Sequence, residues 1–313
     1  MNKFMPVKLS PAFKDYLWGG TRLKEDYNKK TDMEPLAESW ELSCHKDGES
    51  KICGGEYDGK TLSEYIDICG REILGKNAEK FDFFPILIKF IDAKKDLSVQ
   101  VHPDDEYAQK YENSYGKTEM WYVLEAEEGA YLYYGLNRDI TREEFAERIK
   151  NNTVCEVLNK VDVKKGDVFF IKSGTLHAIC SGIVICEIQQ NSNLTYRVYD
   201  YDRRDKDGNP RQLHIDKALE VTNLKKAPPV ERPSGGLLGE CKYFKVSDMT
   251  VSDNAVLPLA DDSFTSVIVS DGGGKMYYGG AEYELLKGDS IFVPAQSGEI
   301  RFEGHCELII TRV

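Results

Sequence analysis

The hydrophobic positions of the chain fall mostly in short runs of six to nine residues. These runs are rich in β-branched and aromatic side chains and are separated by Gly, Asp or Asn, which is typical of β-strands and the turns between them. They predict strands over residues 120–126, 130–136, 167–173, 182–190, 266–271, 290–295 and 306–313. Regular alternation of strands with helices is absent from the pattern. This argues against a doubly wound sheet and favours packed antiparallel sheets or a jelly roll, so we predict a mainly β fold.

A few helical segments interrupt the strands. The spacing of Thr61 and Glu64, and of Thr141 and Glu144, is that of a capping box at the start of a helix. Proline is tolerated in the first turn of a helix, so Pro103 can begin a third one. The predicted helices cover residues 61–74, 103–111, 141–150 and 215–223.

The segment 225–236 contains three prolines and two glycines, a composition typical of a connector between domains. We therefore predict an N-terminal domain, 1–230, with helical elements and a C-terminal β domain, 231–313.

One internal repeat supports two similar β units. The sequence Gly-Asp-Val-Phe-Phe-Ile from Gly166 resembles Gly-Asp-Ser-Ile-Phe-Val from Gly288, at an offset of 122 residues. Each has a Gly-Asp turn that leads into an apolar strand. At this offset His177 corresponds to Glu299, so only the first unit carries the histidine.

Composition and charge narrow the class of protein. The chain has 313 residues, of which 41% are hydrophobic, as in ordinary globular proteins. Its formal net charge of −12 and the lack of long Lys/Arg runs argue against nucleic-acid binding. No stretch is long and apolar enough for a membrane helix, and the first residues lack the apolar region of a signal peptide. Eight cysteines scattered without CxxC pairs predict reduced thiols and a cytoplasmic location.

Candidate metal ligands stand out on three predicted strands. Strand residues two apart point to the same face, so Ser98, Gln100 and His102 share one face, as do Lys117 and Glu119. His177 follows a turn. A closed barrel would gather four of these side chains in its interior: Gln100, His102, Glu119 and His177.

Two imidazoles and a carboxylate suit Zn²⁺, with Gln or water at a remaining position. Fe²⁺, Mn²⁺ and Co²⁺ accept the same ligands. A histidine at a strand end and a solvated glutamate are the alternative interpretation, which the spacing alone leaves open.

A polar stretch from Glu187 to Arg203 follows. Glu187 and Gln189 share a strand face, and Arg197 lies among alternating aromatic residues, where it is expected to face a pocket or a carboxylate. A guanidinium group stays charged and donates in a fork, which suits the recognition of anions. We expect structural roles for the three other histidines, His45, His214 and His305.

The ordered set of motifs resembles type I mannose-6-phosphate isomerase (phosphomannose isomerase) in its short bacterial form, a member of the cupin superfamily. The motifs run in the family's order between positions 17 and 203, and the remaining length fits its C-terminal β domain. They are Leu17-Trp-Gly-Gly20, Glu38-Ser-Trp-Glu41, Ser98-Val-Gln-Val-His-Pro103, Lys117-Thr-Glu-Met-Trp-Tyr-Val123, Gly174-Thr-Leu-His-Ala178 and Thr195-Tyr-Arg-Val-Tyr-Asp-Tyr201.

The resemblance implies two cupin-like jelly-roll units, of which only the first, catalytic one holds a metal. It implies one Zn²⁺ per chain, bound by Gln100, His102, Glu119 and His177, and an active-site arginine at Arg197. Further residues that it implies for the substrate pocket are Ser98, Lys89, Lys117 and Glu187. The longer relatives carry a helical insertion that this chain lacks, so part of the phosphate-binding wall is expected to differ.

The implied reaction interconverts D-mannose 6-phosphate and D-fructose 6-phosphate by proton transfer between C2 and C1 through a cis-enediol(ate). Arg197 keeps its proton at working pH and so is assigned to substrate orientation and charge stabilisation. Three candidates for the base stay open: Glu187, a neutral Lys117 and a water on the metal.

Two other classes of function compete with this interpretation. One is a different metal-dependent cupin enzyme, an oxygenase or an epimerase. The other is a cupin that binds sugar phosphates without catalysis. The expected partner is a small sugar phosphate rather than nucleic acid or membrane, and the expected state is a monomer or a weak homo-oligomer.

Overall fold

The structure is a computed structural model that describes residues 4–204, 207–230, 233 and 236–313. Two compact units share these residues. Unit 1 draws on Met1–Lys14, Thr21–Phe90 and Pro233–Val313, and unit 2 on Asp15–Gly20 and Ile91–Arg232. The domain boundary that we predict between residues 230 and 231 stays a prediction, since the units are assembled from several separate stretches of chain.

The N-terminal part of unit 1 contains short strands and two helices. The strands are β1 (Val7–Ser10), β2 (Ala12–Lys14), β3 (Glu38–Leu42), β4 (Cys44–His45), β5 (Gly48–Glu49) and β6 (Lys51–Cys53), and the helices are α1 (Arg22–Glu25) and α2 (Leu62–Cys69). Thr61 and Glu64 form the predicted capping box at the start of α2. The predicted helix 61–74 is too long, because Gly70 adopts a φ of 90° and ends α2. Two 3₁₀ turns follow, Arg71–Leu74 and Lys76–Ala78.

Strand β7 (Ile86–Ala93) leads from unit 1 into unit 2, which holds the predicted site residues apart from Lys89. Its strands are β8 (Val99–Val101), β9 (Glu119–Ala126), β10 (Tyr131–Leu136), β11 (Leu158–Asp162), β12 (Val168–Ile171), β13 (His177–Ile179), β14 (Ile183–Gln190) and β15 (Tyr196–Tyr199). Its helices are α3 (Asp105–Glu112), α4 (Arg142–Lys150) and α5 (Ile215–Val221), with a 3₁₀ turn at Val154–Val157. The predicted start at Pro103 is wrong by two residues, because the carboxylate of Asp104 caps α3 by accepting the N–H of Tyr107.

The C-terminal part of unit 1 is formed by long antiparallel strands. They are β16 (Leu237–Glu240), β17 (Lys245–Leu259), β18 (Thr265–Tyr278), β19 (Ala281–Leu286), β20 (Ser290–Val293) and β21 (Gly298–Arg312). They join N-terminal strands in one sheet, in the order β16-β17-β21-β18-β20-β1-β6, with β19 on β18. The predicted mainly β fold with a few short helices is confirmed. None of the helices in the described part of the chain is long and apolar enough to span a membrane.

Unit 2 positions the site through a five-stranded sheet in the order β11-β10-β13-β8-β15. Side chains alternate between the faces of a strand, so the apolar residues of β8, β13 and β15 share one face. That face packs against α4 and α5 in a buried core that includes Val99, Val101, Ala178, Tyr196, Val198, Phe145, Ile149 and Ala218. The opposite face is therefore left for the polar residues between them.

The Gly-Asp turns of the predicted repeat have the same backbone hydrogen bonds. The N–H of Gly166 donates to a valine carbonyl of the neighbouring strand at 2.8 Å, as does that of Gly288. The carbonyls of Asp167 and Asp289 accept from the same valines, at 2.9 and 3.0 Å. Each aspartate side chain also accepts the N–H of the residue three positions earlier, at 3.0 and 2.8 Å. The repeat is thus present as a shared local structure.

These two glycines provide a matched test of backbone strain. Both have positive φ, 86° at Gly166 and 94° at Gly288. A Cβ at Gly166 would meet nothing within 4 Å, whereas one at Gly288 would lie 2.2 Å from the carbonyl oxygen of Tyr27. We expect Gly166→Ala to cost about 1–2 kcal/mol from φ alone. Gly288→Ala should cost about 1–3 kcal/mol more, because backbone must move. Urea unfolding of the two variants measures the difference, and equal midpoints would contradict the prediction.

Candidate active site

Three candidate residues lie in one row across the five-stranded sheet. His177 of β13 lies directly opposite Gln100 of β8, and Gln100 lies opposite Arg197 of β15. Directly opposed residues project from the same face of a sheet. The three side chains therefore share the face that does not pack against the helices. His102, two residues after Gln100, continues this face just beyond the end of β8.

The facing residues come from β9 and β14. Glu119 and Trp121 are two apart on β9, and they lie opposite Gln189 and Glu187 of β14. Strands β12, β9 and β14 pair in this order within unit 2. The pairing gathers polar and charged side chains on one face of these strands, all of them buried.

His102, Glu119 and His177 converge where the two sets of strands meet. One donor atom from each lies within 4.8 Å of those of the others, and all three residues are buried. Nε2 of His102 is 3.6 Å from one oxygen of Glu119, and Nε2 of His177 is 3.4 Å from the other. The amide nitrogen of Gln100 lies 3.3 Å from Nε2 of His177.

Backbone carbonyls orient both imidazoles. Nδ1 of His102 lies 2.8 Å from the carbonyl oxygen of Leu194, and Nδ1 of His177 lies 2.8 Å from that of Thr175. Because a carbonyl can only accept, Nδ1 carries the hydrogen in each ring and Nε2 presents a lone pair to the cluster. Burial lowers the pKa of His177 to about 4, so this ring is neutral at neutral pH.

This donor set fits a divalent cation. Two ring lone pairs lie 3.4 and 3.6 Å from the oxygens of one carboxylate, and a shared cation would attract all three groups. Metal-binding histidines commonly donate their other ring nitrogen to a carbonyl, as both do here. A half-turn of the Gln100 amide exchanges Nε2 for Oε1 and brings a fourth ligand atom, an oxygen, to the same place.

Lys117 and Glu187 form a charged network beside the cluster. Nζ of Lys117 is 2.6 Å from Glu119 and 3.3 Å from Glu187. The other oxygen of Glu187 accepts the indole N–H of Trp121 at 3.1 Å, and the Trp121 ring meets that of His177 edge to face at 5.3 Å. The Glu187 carboxylate is therefore held in one orientation by two donors.

Arg197 is half-buried on β15, the last strand of the five-stranded sheet. Its Nη1 donates to the carbonyl of Gln212 at 2.8 Å. Its Nε lies inside the protein and makes no hydrogen bond within the part of the chain that the structure describes. An anionic or oxygen-rich ligand is the kind of partner that would satisfy this donor.

Two family models match this chain, one in its N-terminal part and one in its C-terminal part. The model of the type I phosphomannose isomerase catalytic domain matches residues 7–133, and that of the mannose-6-phosphate isomerase cupin domain matches residues 237–313. The mannose-6-phosphate isomerase ManA of Bacillus subtilis is 39% identical over 98% of this chain and 99% of its own length. The chain belongs to the type I phosphomannose isomerase family.

Further relatives agree with this family assignment. A mannose-6-phosphate isomerase of Streptococcus mutans is 37% identical over 97% of both chains. The crystal structure of the mannose 6-phosphate isomerase from Bacillus subtilis superposes with a TM-score of 0.91 at 35% identity, covering 99% of this chain and all of that one. The family is one of metalloenzymes, and the His102–Glu119–His177 cluster is a site that could hold its metal.

Ser98 and Lys89 are two further pocket residues that the resemblance implies. Ser98 is buried immediately before β8. Lys89 is buried in unit 1, where its Nζ lies 3.5 Å from Glu38 and 4.7 Å above the Trp40 ring. The roles of both in substrate binding stay predictions, as do those of Lys117, Glu187 and Arg197.

The sequence analysis missed two residues that contact the site. Trp121 shares a strand face with Glu119, so the period-2 alternation that placed Glu119 could also have found it. His214, which we expected to be structural only, contacts the backbone of Arg197. No pattern of side chains in the sequence predicts that contact.

Proposed function

We infer that the protein is a metal-dependent aldose–ketose isomerase that interconverts D-mannose 6-phosphate and D-fructose 6-phosphate. The main support is the convergence of His102, Glu119 and His177. Arg197 lies on the same sheet, opposite Gln100. The chain also matches a mannose-6-phosphate isomerase over 98% of its length. No observation favours the competing oxygenase, epimerase or non-catalytic binding protein.

The proposed metal is Zn²⁺, one per chain, with Gln100, His102, Glu119 and His177 as its ligands. Two neutral imidazoles, a carboxylate and an amide oxygen form an acceptable set for it, and the absence of thiolate ligands is typical of catalytic rather than structural zinc. When bound, the cation supplies a Lewis acid that polarises the substrate carbonyl.

The proposed base is Glu187. Isomerisation from the aldose requires removal of the proton on C2, formation of the C1=C2 double bond of a cis-enediol(ate), and return of a proton to C1. A carboxylate held by Trp121 and Lys117 can take and return this proton in a fixed position. Lys117, between two carboxylates, serves as a donor and a positive charge near the oxygens that exchange the second proton.

Arg197 is proposed to orient the substrate and to stabilise charge. Its guanidinium cannot act as a base, because it keeps its proton at any working pH. A charged donor that is already in place when negative charge develops on an oxygen requires no reorganisation during the reaction.

The cytoplasm is the proposed location, supported by scattered cysteines that are free thiols in the structure. A monomer or weak homo-oligomer remains the predicted state.

A coupled assay with mannose 6-phosphate tests the proposed function. We expect isomerisation by the protein as purified, loss of more than about 90% of it after EDTA treatment, and recovery on addition of Zn²⁺ without oxygen. Equal rates before and after complete metal removal would contradict the metal-dependent mechanism. Oxygen consumption restored by Fe²⁺, without isomerisation, would instead favour an oxygenase.

A further inference from the structure

A short segment after β15 returns along this strand and holds Arg197 at three points. The backbone N–H of Arg197 donates to Nδ1 of His214 at 3.2 Å, and the backbone N–H of His214 donates to the Arg197 carbonyl at 2.8 Å. The Arg197 side chain donates to the Gln212 carbonyl at 2.8 Å. Both the main chain and the guanidinium of Arg197 are thus tied to residues 212–214.

These contacts matter because β15 is the last strand of its sheet. Strand β8 pairs with one of its edges, with Gln100 opposite Arg197. The register then shifts between Arg197 and Tyr199, which leaves Val198 as an extra residue in a bulge. Bulges bend a strand and redirect its side chains. The orientation of Arg197 therefore depends on what holds its outer edge, and His214 occupies that position.

His214 is itself anchored. It lies at the N-terminal end of α5, and its carbonyl accepts the N–H of Ala218 at 2.9 Å. Ala218 is fully buried in the core that α5 forms with the outer face of the sheet. The histidine thus links Arg197 to the buried core between the sheet and α5.

We propose that His214 is a positioning residue for Arg197, and that it works only as a neutral imidazole whose Nδ1 accepts the Arg197 N–H. The proposal rests on the proposed function, in which Arg197 contacts the substrate. Protonation would place a hydrogen on Nδ1, so that two N–H groups would face each other. The contact would be lost and the guanidinium would no longer be held in place.

The groups around His214 keep it neutral over most of the working range. Burial lowers its pKa from the usual value, and the positive charges of Arg197 and Lys217 lower it further. Glu112 acts in the opposite direction, but its carboxylate is shared with the Tyr196 hydroxyl and Lys217, both at 2.6 Å. Activity that depends on neutral His214 is therefore retained at neutral pH and falls only at a pH below the usual titration range of histidine.

Two substitutions distinguish the loss of the Nδ1 acceptor from the loss of side-chain volume at position 214. His214→Ala removes the acceptor, and we expect kcat to fall about 10- to 100-fold, a loss typical of a misplaced catalytic group. His214→Asn places Oδ1 near the position of Nδ1 and does not titrate. It should restore most of kcat and lack the acid-side decrease that His214 gives the wild-type kcat profile. A His214→Asn variant as impaired as His214→Ala, with normal metal content, would overturn the proposal.

A double-mutant cycle tests whether His214 acts through Arg197. If it does, His214→Ala should change kcat less than about twofold in an Arg197→Lys background. A full 10- to 100-fold loss in that background would show that His214 acts elsewhere and would overturn the proposal.

Amide hydrogen exchange tests the contact between His214 and Arg197 independently of enzyme activity. The Arg197 N–H should exchange at least about tenfold faster in His214→Ala than in wild type, and slowly again in His214→Asn. Unchanged exchange in His214→Ala would overturn the contact even in an active enzyme. A wild-type protein that shows the exchange pattern but no isomerisation would contradict the proposed function instead.

Discussion

Replacing His177 with Ala is expected to reduce isomerisation of mannose 6-phosphate at least about 1000-fold. The substitution removes one of the two ring nitrogens that face Glu119 and leaves the carboxylate and His102 with too few partners to hold the cation tightly. Loss of the Lewis acid removes several kcal/mol of transition-state stabilisation, and each 1.36 kcal/mol is worth a factor of ten in rate.

Metal analysis distinguishes this cause from misfolding. The wild-type protein should carry about one Zn²⁺ per chain, and His177→Ala much less, with an unchanged circular dichroism spectrum. His102→Ala should behave alike, because it removes the other ring. The matched control is His305→Ala, since the side chain of His305 is 78% exposed on β21. An active His177→Ala enzyme with a full complement of metal would refute the proposed ligand set.

Local periodicity explains which part of the geometry of this site the sequence could predict. Alternation along a strand puts Gln100 and His102 on one face and Lys117 and Glu119 on another, whatever the rest of the fold does. The distances within the His102–Glu119–His177 cluster depend on which strands pair and which faces meet. These are long-range properties that no local pattern encodes, and the motif resemblance implied only which residues would be ligands.

The errors of prediction have physical causes of the same kind. The start of α2 could be predicted because a capping box is a local pattern. The end of α2 depends on the positive φ of Gly70, and a glycine within an apolar pattern does not reveal its φ. The contact of His214 with the Arg197 N–H could not be predicted either, because a backbone donor carries no sequence signature.

The second large effect is expected from Glu187→Gln, which keeps the shape of the side chain and removes its ability to accept a proton from carbon. The amide oxygen can still accept the indole N–H of Trp121, so the local packing is retained. If Glu187 is the base, kcat should fall about 10²- to 10⁴-fold, the usual contribution of a positioned general base. KM should change only a few-fold, because the proposed orienting contact of Arg197 is untouched.

Exchange with solvent identifies the step that is lost. Proton transfer through an enediol(ate) by a carboxylate allows deuterium from D₂O to enter the sugar, and Glu187→Gln should suppress this incorporation together with turnover. Zn²⁺ content should stay near one per chain, since Glu187 lies beside Lys117 and Trp121 rather than among the proposed ligands.

Glu128→Gln, at an exposed position after β9, is the matched control and should behave as wild type. A Glu187→Gln enzyme with kcat within threefold of wild type would move the base to another group. Loss of metal from it would mean that Glu187 supports the cation instead of moving the proton.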